Sequence, residues 1–325
     1  MLRDGALLLA PPLVNLRLPL PLPRQHRPRR LILIMVVRDE AEVLAANLAF
    51  HFARGVDFAL VVDHASRDGT AEVLEKFQRE GRLAWWKESD PHFQQQVWMT
   101  RLALLARDEH GADWVLCCDA DEFWCPDEGS LKDFIARQRV PVLRCRRENE
   151  VRVLAPADGG GESGRFLDHH YAPVLRPRAW QYPGDDRSAR ELSDPRVPGL
   201  IFHEEPPKVL ARADVIHGVH RGSHYVQKSR WTLQTEPTGL VIRHFPVRDA
   251  TQFATKVQTG GIAYSHAKHP PHTGWHWKHW QACAQRGELP AAFARETLRP
   301  GEVPLAPVQL GPARPARVAL GFAAT

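Results

Sequence analysis

Regular patterning along the chain begins at Leu31. Leu31–Val37 is continuously apolar and partly β-branched, as expected of a strand buried on both faces of a parallel sheet. Asp39 and Glu40 then open a segment whose Val43, Leu44, Leu48 and Phe52 fall on one helical face, ending at Gly55. A second strand pattern, Phe58–Val62, ends at Asp63, and the turn residues His64 to Gly69 lead into a helical pattern with Val73, Leu74 and Phe77, closed by Gly81. Leu83–Trp86 reads as a third strand, Gln94–Arg107 as a third helix, and Trp114–Cys118 as a fourth strand ending at Asp119. Strands alternating with helices predict right-handed crossovers and a mainly parallel sheet. Ligands are then expected at the carboxyl ends of the strands.

The signal thins on both sides of this region. Leu and Pro alternate from Leu16 to Pro23, and the stretch closes on Arg24, Arg27, Arg29 and Arg30. Proline fixes φ and removes donors, so residues 1–30 read as a loosely ordered tail, with a start further downstream an equal reading and a signal peptide a weaker one. Beyond about Asn149 come a Gly-rich loop at Asp158–Gly164, a proline-broken stretch at Arg176–Pro198, and short strand patterns at Val209–Ala211 and Leu240–His244. The expected division is residues 31–150, then residues 151–261 as an irregular second half of the same domain, then a His/Trp-rich extension and Pro/Ala-rich tail over 262–325.

Composition narrows the classes. Over 325 residues, 43% hydrophobic and 25% charged side chains are ordinary globular values. Lys and Arg number 43 against 38 Asp and Glu, a formal charge of +5. The signs are mixed, which argues against a nucleic-acid partner and stays compatible with an anionic small molecule or an anionic lipid surface. Five cysteines without a C-x-x-C pair suggest neither a disulfide framework nor a cysteine-rich zinc site, and fit a reducing cytosol. No run approaches the roughly 18–20 apolar residues of a membrane-spanning helix, so a soluble or peripheral protein is expected.

Candidate chemistry gathers at the strand ends. Asp119-Ala120-Asp121, followed by Glu122-Phe123, places two carboxylates where they can converge on a divalent cation and leave positions for phosphate oxygens. Asp63-x-x-Ser66-x-Asp68-Gly69-Thr70 follows the second strand. Ser66 or Asp68 caps the next helix on this reading, and Asp63 is left to accept hydrogen bonds from a base or ribose. Arg38-Asp39-Glu40 follows the first strand and by itself would be a helix cap. Three acidic clusters at one sheet edge exceed what capping alone explains.

Taken with the helix containing His51-Phe52-x-x-Gly55-Val56-Asp57, these motifs resemble the family 2-like glycosyltransferases of the GT-A fold, in particular a bacterial branch with K-N-E-x-x-x-L and D-A-D-E-F motifs. Arg38-Asp39-Glu40 stands in place of Lys-Asn-Glu, and His64-Ala65 where Asn-Gly or Asp-Gly is usual. Ile242-Arg243-His244-Phe245-Pro246-Val247-Arg248, followed by Phe253, Lys256 and Gly260, is similar to the branch's I-x-H-Y-x-x-R-S-x-x-x-F-x-x-K segment. The resemblance runs from Leu31 to about Gly261 and is sparse between Glu150 and Leu240.

It implies an α/β, GT-A-like Rossmann-type sandwich with a mainly parallel central sheet and an irregular C-terminal half. It also implies a metal-dependent transferase, inverting by analogy, that moves a sugar from a nucleotide diphosphate sugar to a carbohydrate or lipid-linked acceptor in cell-surface polysaccharide or glycolipid assembly. Residues 31–150 would be the nucleotide-sugar half and 151–261 the acceptor side, in the cytoplasm or peripherally at the inner face of the membrane. Glu40 and Asp63 match positions near base and ribose, Asp119 the ribose or a metal-bound water, and Asp121 the direct ligand of Mn²⁺ or Mg²⁺. His244 matches a histidine that completes the metal shell or touches the diphosphate, with His217 and His220 as rivals. Arg248 and Lys256 are candidates to neutralise the diphosphate. Glu204 and Glu205 are candidate bases, with Asp185 and Asp186 as rivals.

His266, His269, His272, His276 and His279, interleaved with Trp275, Trp277 and Trp280, suit zinc or a sugar-facing surface, but a partly buried aromatic helix end accounts for them with less. Trp85 and Trp86 read as core. Two other classes stay open. A sugar-phosphate nucleotidyltransferase would carry a Gly-rich basic loop after the first strand, and Val36 to Glu40 holds no glycine. A non-catalytic nucleotide- or carbohydrate-binding protein would bind without cleaving the sugar bond.

Overall fold

The computed structural model describes residues 29–90, 93–154, 166–174, 199–266 and 275–299. The tail over residues 1–28, the Gly-rich loop, the proline-broken stretch with Asp185 and Asp186, His269, His272 and residues 300–325 lie outside them.

Strands β1 (Leu31–Val37), β2 (Phe58–Asp63), β3 (Leu83–Lys87) and β4 (Trp114–Cys117) alternate with helices α1 (Ala41–Ala53), α2 (Thr70–Arg79) and α3 (Gln95–Asp108). The chain continues through β5 (Glu122–Pro126), α4 (Leu131–Ala136), β6 (Val142–Cys145), β7 (Arg147–Val153), β8 (His170–Pro173), β9 (Lys208–Arg212), β10 (Gly218–Val219), β11 (Val226–Gln227), β12 (Gln234–Thr235) and β13 (Leu240–His244). It closes with α5 (Ala250–His266), α6 (Trp275–Gln285), α7 (Leu289–Arg295) and β14 (Thr297–Leu298).

The central sheet has the order β12-β6-β9-β4-β1-β2-β3. Its described pairs are parallel except where β9 lies between β4 and β6. The fold is therefore α/β around a mainly parallel sheet, as the patterning predicts. Alternation along β1 divides the core. Leu31, Leu33, Met35 and Val37 join α1 and α2 side chains in one buried cluster, whereas Ile32 and Ile34 meet Trp98, Met99 and Leu102 of α3 in another. Successive strand side chains point to opposite faces, and each fully buried Leu or Ile is worth about 1.5–3 kcal/mol. Phe52, expected on the core face of α1, is half-buried, while Phe50, Asn47 and His51 are buried. Trp85 packs partly against the core, but Trp86 is 43% exposed, which corrects its reading as core.

A second sheet, β14-β7-β13-β5, sets His244 opposite Glu122 on one side and Asn149 on the other. A third apolar cluster holds α5, α6 and α7 to it through Val257, Phe253, Trp280 and Phe293. Residue 261 lies inside α5, and β14 pairs with β7. Among the described residues no helix is long and apolar enough to cross a membrane.

Candidate active site

The strand order places a switch point at β1. The chain proceeds from β1 to β2 on one side, and later returns through α3 to β4 on the other. Loops leaving adjacent parallel strands in opposite directions open a crevice at their carboxyl ends. Glu40 follows β1, Asp63 ends β2, and Asp119 to Asp121 follow β4.

The loops after β1 and β2 are laced together. Asp39 N–H donates to Ser66 Oγ at 2.9 Å, Arg67 N–H to Asp39 Oδ1 at 2.7 Å, Glu40 N–H to Thr70 Oγ1 at 2.9 Å, and Ala41 N–H to Asp68 Oδ2 at 2.9 Å. Asp68 and Thr70 thus satisfy the amino end of α1 as well as their own turn. Asp39 and Ala65 both adopt φ of 53°, which costs about 1–2 kcal/mol each. Ala65 thus holds a left-handed conformation that glycine would adopt at lower cost. His64 secures the next loop: its Nε2–H donates to Asp90 O at 2.7 Å, and its ring lies 4.8 Å from that of Trp98.

With those amides served by the neighbouring loop, the Glu40 side chain makes no cap of its own. It turns inward, accepting from Arg248 Nη2 at 2.6 Å and pairing with Lys256 Nζ at 3.0 Å. Lys256 also donates to Asp121 Oδ2 at 2.6 Å. Arg248 is fully buried between Glu40, Glu42 at 3.2 Å and Asp121 at 3.9 Å. Burial opposes ionisation of Asp121, and the charges of Lys256 and Arg248 overcome it, holding the carboxyl well below its ordinary range.

On the other side of Asp121 stands His244, its Nε2 3.7 Å from Oδ1. Asn149 donates its amide N–H to Ile201 O at 2.8 Å, so its Oδ1, 2.7 Å from His244 Nδ1, accepts that ring N–H. Burial keeps the imidazole neutral, and its Nε2 lone pair faces the carboxylate. Two acceptors facing one another, with the ring oriented by a second hydrogen bond, fit a cation between them. Asp121 and His244 are the side chains that could hold one.

The Asp119 carboxylate accepts from Lys208 Nζ at 2.5 Å, because β9 runs antiparallel beside β4 and starts at this lysine. The two carboxylates of the D-A-D motif thus serve different cations, and among the described residues no group of three His, Cys, Asp or Glu side chains is placed to hold a metal ion. Lys208 also meets Glu122 at 3.3 Å, and Arg147 bridges Glu122 at 3.0 Å and Glu205 at 2.7 Å. Burial, reinforced by the charge of Asp119 and opposed by Lys208, pushes Glu122 up to about 7. Glu205 therefore joins the site network; Glu204 is exposed.

Asp63 is fully buried. Its Oδ1 accepts from Ser66 N–H at 3.0 Å, and its Oδ2 is buried with no hydrogen-bond partner among the described residues. A buried anionic oxygen without a donor is costly and marks a position for a ligand N–H or O–H. His217 and His220 are exposed at the ends of β10. His276 and Trp277 pack on Trp280, which is buried against Phe253.

Four buried polar side chains that support this network are not evident from the sequence pattern. Asn47, on the core face of α1, donates its amide to Ala120 O at 2.9 Å and Glu122 O at 2.7 Å, fixing the turn that carries Asp121. Asn149, Arg147 and Lys208 are the others. Asn47 between Leu44 and Leu48 was the visible signal, a polar residue on an apolar face; the rest depend on strand pairing.

No protein family matches the chain, and no curated protein does. Among solved structures it is similar to S. aureus TarS 1-349 in complex with UDP, at 11% identity and a TM-score of 0.37, covering 76% of this chain and 69% of that one. The same TarS fragment with UDP-GlcNAc gives 13% identity and 0.35, covering 82% and 74%. Glucosyl-3-phosphoglycerate synthase from Mycobacterium tuberculosis with phosphoglyceric acid gives 13% and 0.29, covering 57% of each chain.

Proposed function

We propose that the chain is a glycosyltransferase that uses a nucleotide diphosphate sugar and a divalent cation, Mn²⁺ or Mg²⁺. One observation carries the reading: at the switch point of a parallel sheet, Asp121 and the neutral face of His244 oppose each other across 3.7 Å, with Lys256 alongside. The motif resemblance supports the same reading.

Asp121 and His244 hold the cation, which when bound offsets charge on the departing diphosphate. Asp63 Oδ2 takes a base or ribose donor group. Lys256, whose side chain is 21% exposed, reaches the diphosphate, whereas Arg248, wholly buried, positions Glu40 and Asp121 without touching the donor. Glu205, tied to the site through Arg147, takes the proton of the acceptor hydroxyl. The acceptor is a carbohydrate or a lipid-linked one, met in the cytoplasm or at the inner face of the membrane.

The test is a screen of UDP-, GDP- and dTDP-sugars by thermal shift and by release of nucleoside diphosphate, with and without Mn²⁺, on wild type and Asp121→Ala. A cation-dependent response confined to the wild type supports the proposal. Nucleotide binding with the sugar bond left intact would favour a binding protein.

A further inference from the structure

The Lys256 ammonium and a divalent cation make incompatible claims on Asp121. The ammonium sits 2.6 Å from Oδ2 of the carboxylate whose Oδ1 faces His244 Nε2. Arg248 is already 3.9 Å from the same Oδ2 and cannot retreat, being buried and anchored by Glu40 and Glu42. A doubly charged ion on this carboxylate would face two positive charges at close range in a desolvated site, where repulsion is weakly screened. Lys256 is the one of the two that can move. It stands on α5 with its side chain part-exposed, and Glu40 Oε1 at 3.0 Å offers it a second anchor.

Resting on the metal-dependent reading above, we infer that Lys256 is a built-in competitor for the cation site. The Lys256–Asp121 ion pair and a cation on Asp121 exclude one another. The cation therefore binds well only when Lys256 has another anionic partner, and the donor's diphosphate is that partner. Cation and donor enter together because each relieves a charge the other leaves unpaired, which is a coupling between two ligands through one side chain. Glu40 is a positioning residue here, keeping the displaced ammonium within the cleft.

The test is binding of Mn²⁺ alone to the full chain, followed by loss of the free-ion electron paramagnetic resonance signal, for wild type, Lys256→Met, Lys256→Gln, Lys256→Arg and Asp121→Asn. Thermal unfolding of each identifies variants that fold. Removing the ammonium is expected to tighten Mn²⁺ binding by about tenfold or more, within the usual range of such couplings, in Met and Gln variants alike. Lys256→Arg, which keeps the charge, is expected to stay near wild type. Unchanged or weaker Mn²⁺ binding in both neutral variants, with binding lost in Asp121→Asn, would overturn the competition while leaving the metal site standing. Wild-type affinity in Asp121→Asn, or no Mn²⁺ bound by any of the proteins, would overturn both.

Discussion

Replacing Asn47 by leucine tests whether the Asp119–Glu122 turn is held from α1. The amide is fully buried and serves two carbonyls, Ala120 O at 2.9 Å and Glu122 O at 2.7 Å. Leucine fills a similar volume but donates nothing, so in a site closed to water Ala120 O loses this donor and Glu122 O keeps the weaker Cys118 thiol contact at 3.3 Å. Each such buried group costs about 1–3 kcal/mol. His51 Nδ1–H loses Asn47 Oδ1 at 3.0 Å as an acceptor but keeps the backbone O of residue 47 at 2.9 Å, so that loss adds little. Extra apolar burial offsets part of the cost, and the expected net loss is about 2–4 kcal/mol, a large share of the 5–15 kcal/mol typical of folded domains. Because the turn carries Asp121, Mn²⁺ or nucleotide affinity should fall in the same variant, about tenfold for each 1.4 kcal/mol of misplacement. Urea denaturation gives the stability change and calorimetric titration the affinity. Glu75→Ala, on the exposed face of α2, serves as a control and should stay within about 0.5 kcal/mol. If Asn47→Leu matched that control in stability and bound Mn²⁺ and nucleotide like the wild type, the turn would be held by something other than this amide.

Arg248→Met takes from Glu42 the cation it pairs with and leaves Glu40 and Asp121 to Lys256 alone, and should cost about 3–5 kcal/mol by denaturation. Arg248→Lys should recover only part of it, since one ammonium cannot replace the guanidinium fork. Asp63→Asn keeps the oxygen that accepts from Ser66 N–H and removes the unpartnered one, so stability should hold or rise. UDP or GDP affinity, read by calorimetry, should drop about tenfold or more, the worth of a charged hydrogen bond; an unchanged affinity would remove Asp63 from the nucleotide site. Burial, opposed by hydrogen bonds from Ile201 and Leu200, pushes Glu296 from 4.5 up to about 7. The folded state therefore holds this proton more tightly. The resulting stability, about 3 kcal/mol, is present in full below pH 4.5 and lost as pH rises through 7. Glu296→Gln should flatten the fall of stability between pH 5 and 7, leaving the share that Glu122 and Glu150, also near 7, contribute in the same direction.

Much of the α/β half was legible in the chain because each step is local. A seven-residue apolar run has one stable use, a strand covered on both sides, and the acid after each such strand inherits its place at the carboxyl edge. Leu31–Val37 and Leu240–His244 emerge with the bounds that patterning assigns. What the pattern does not contain is which charge meets which. Asp119 and Asp121 are two residues apart, yet one goes to Lys208 and the other to Lys256, because an antiparallel strand and a helix well over a hundred residues from α1 arrive on opposite sides of one turn. Glu40 reads as a helix cap until the adjoining loop takes over its amides and Arg248 draws its carboxylate inward. Periodicity records which face of an element avoids water. The pairing of buried charges depends on distances between elements that only the folded chain brings together, and on the cost of leaving any one of those charges alone.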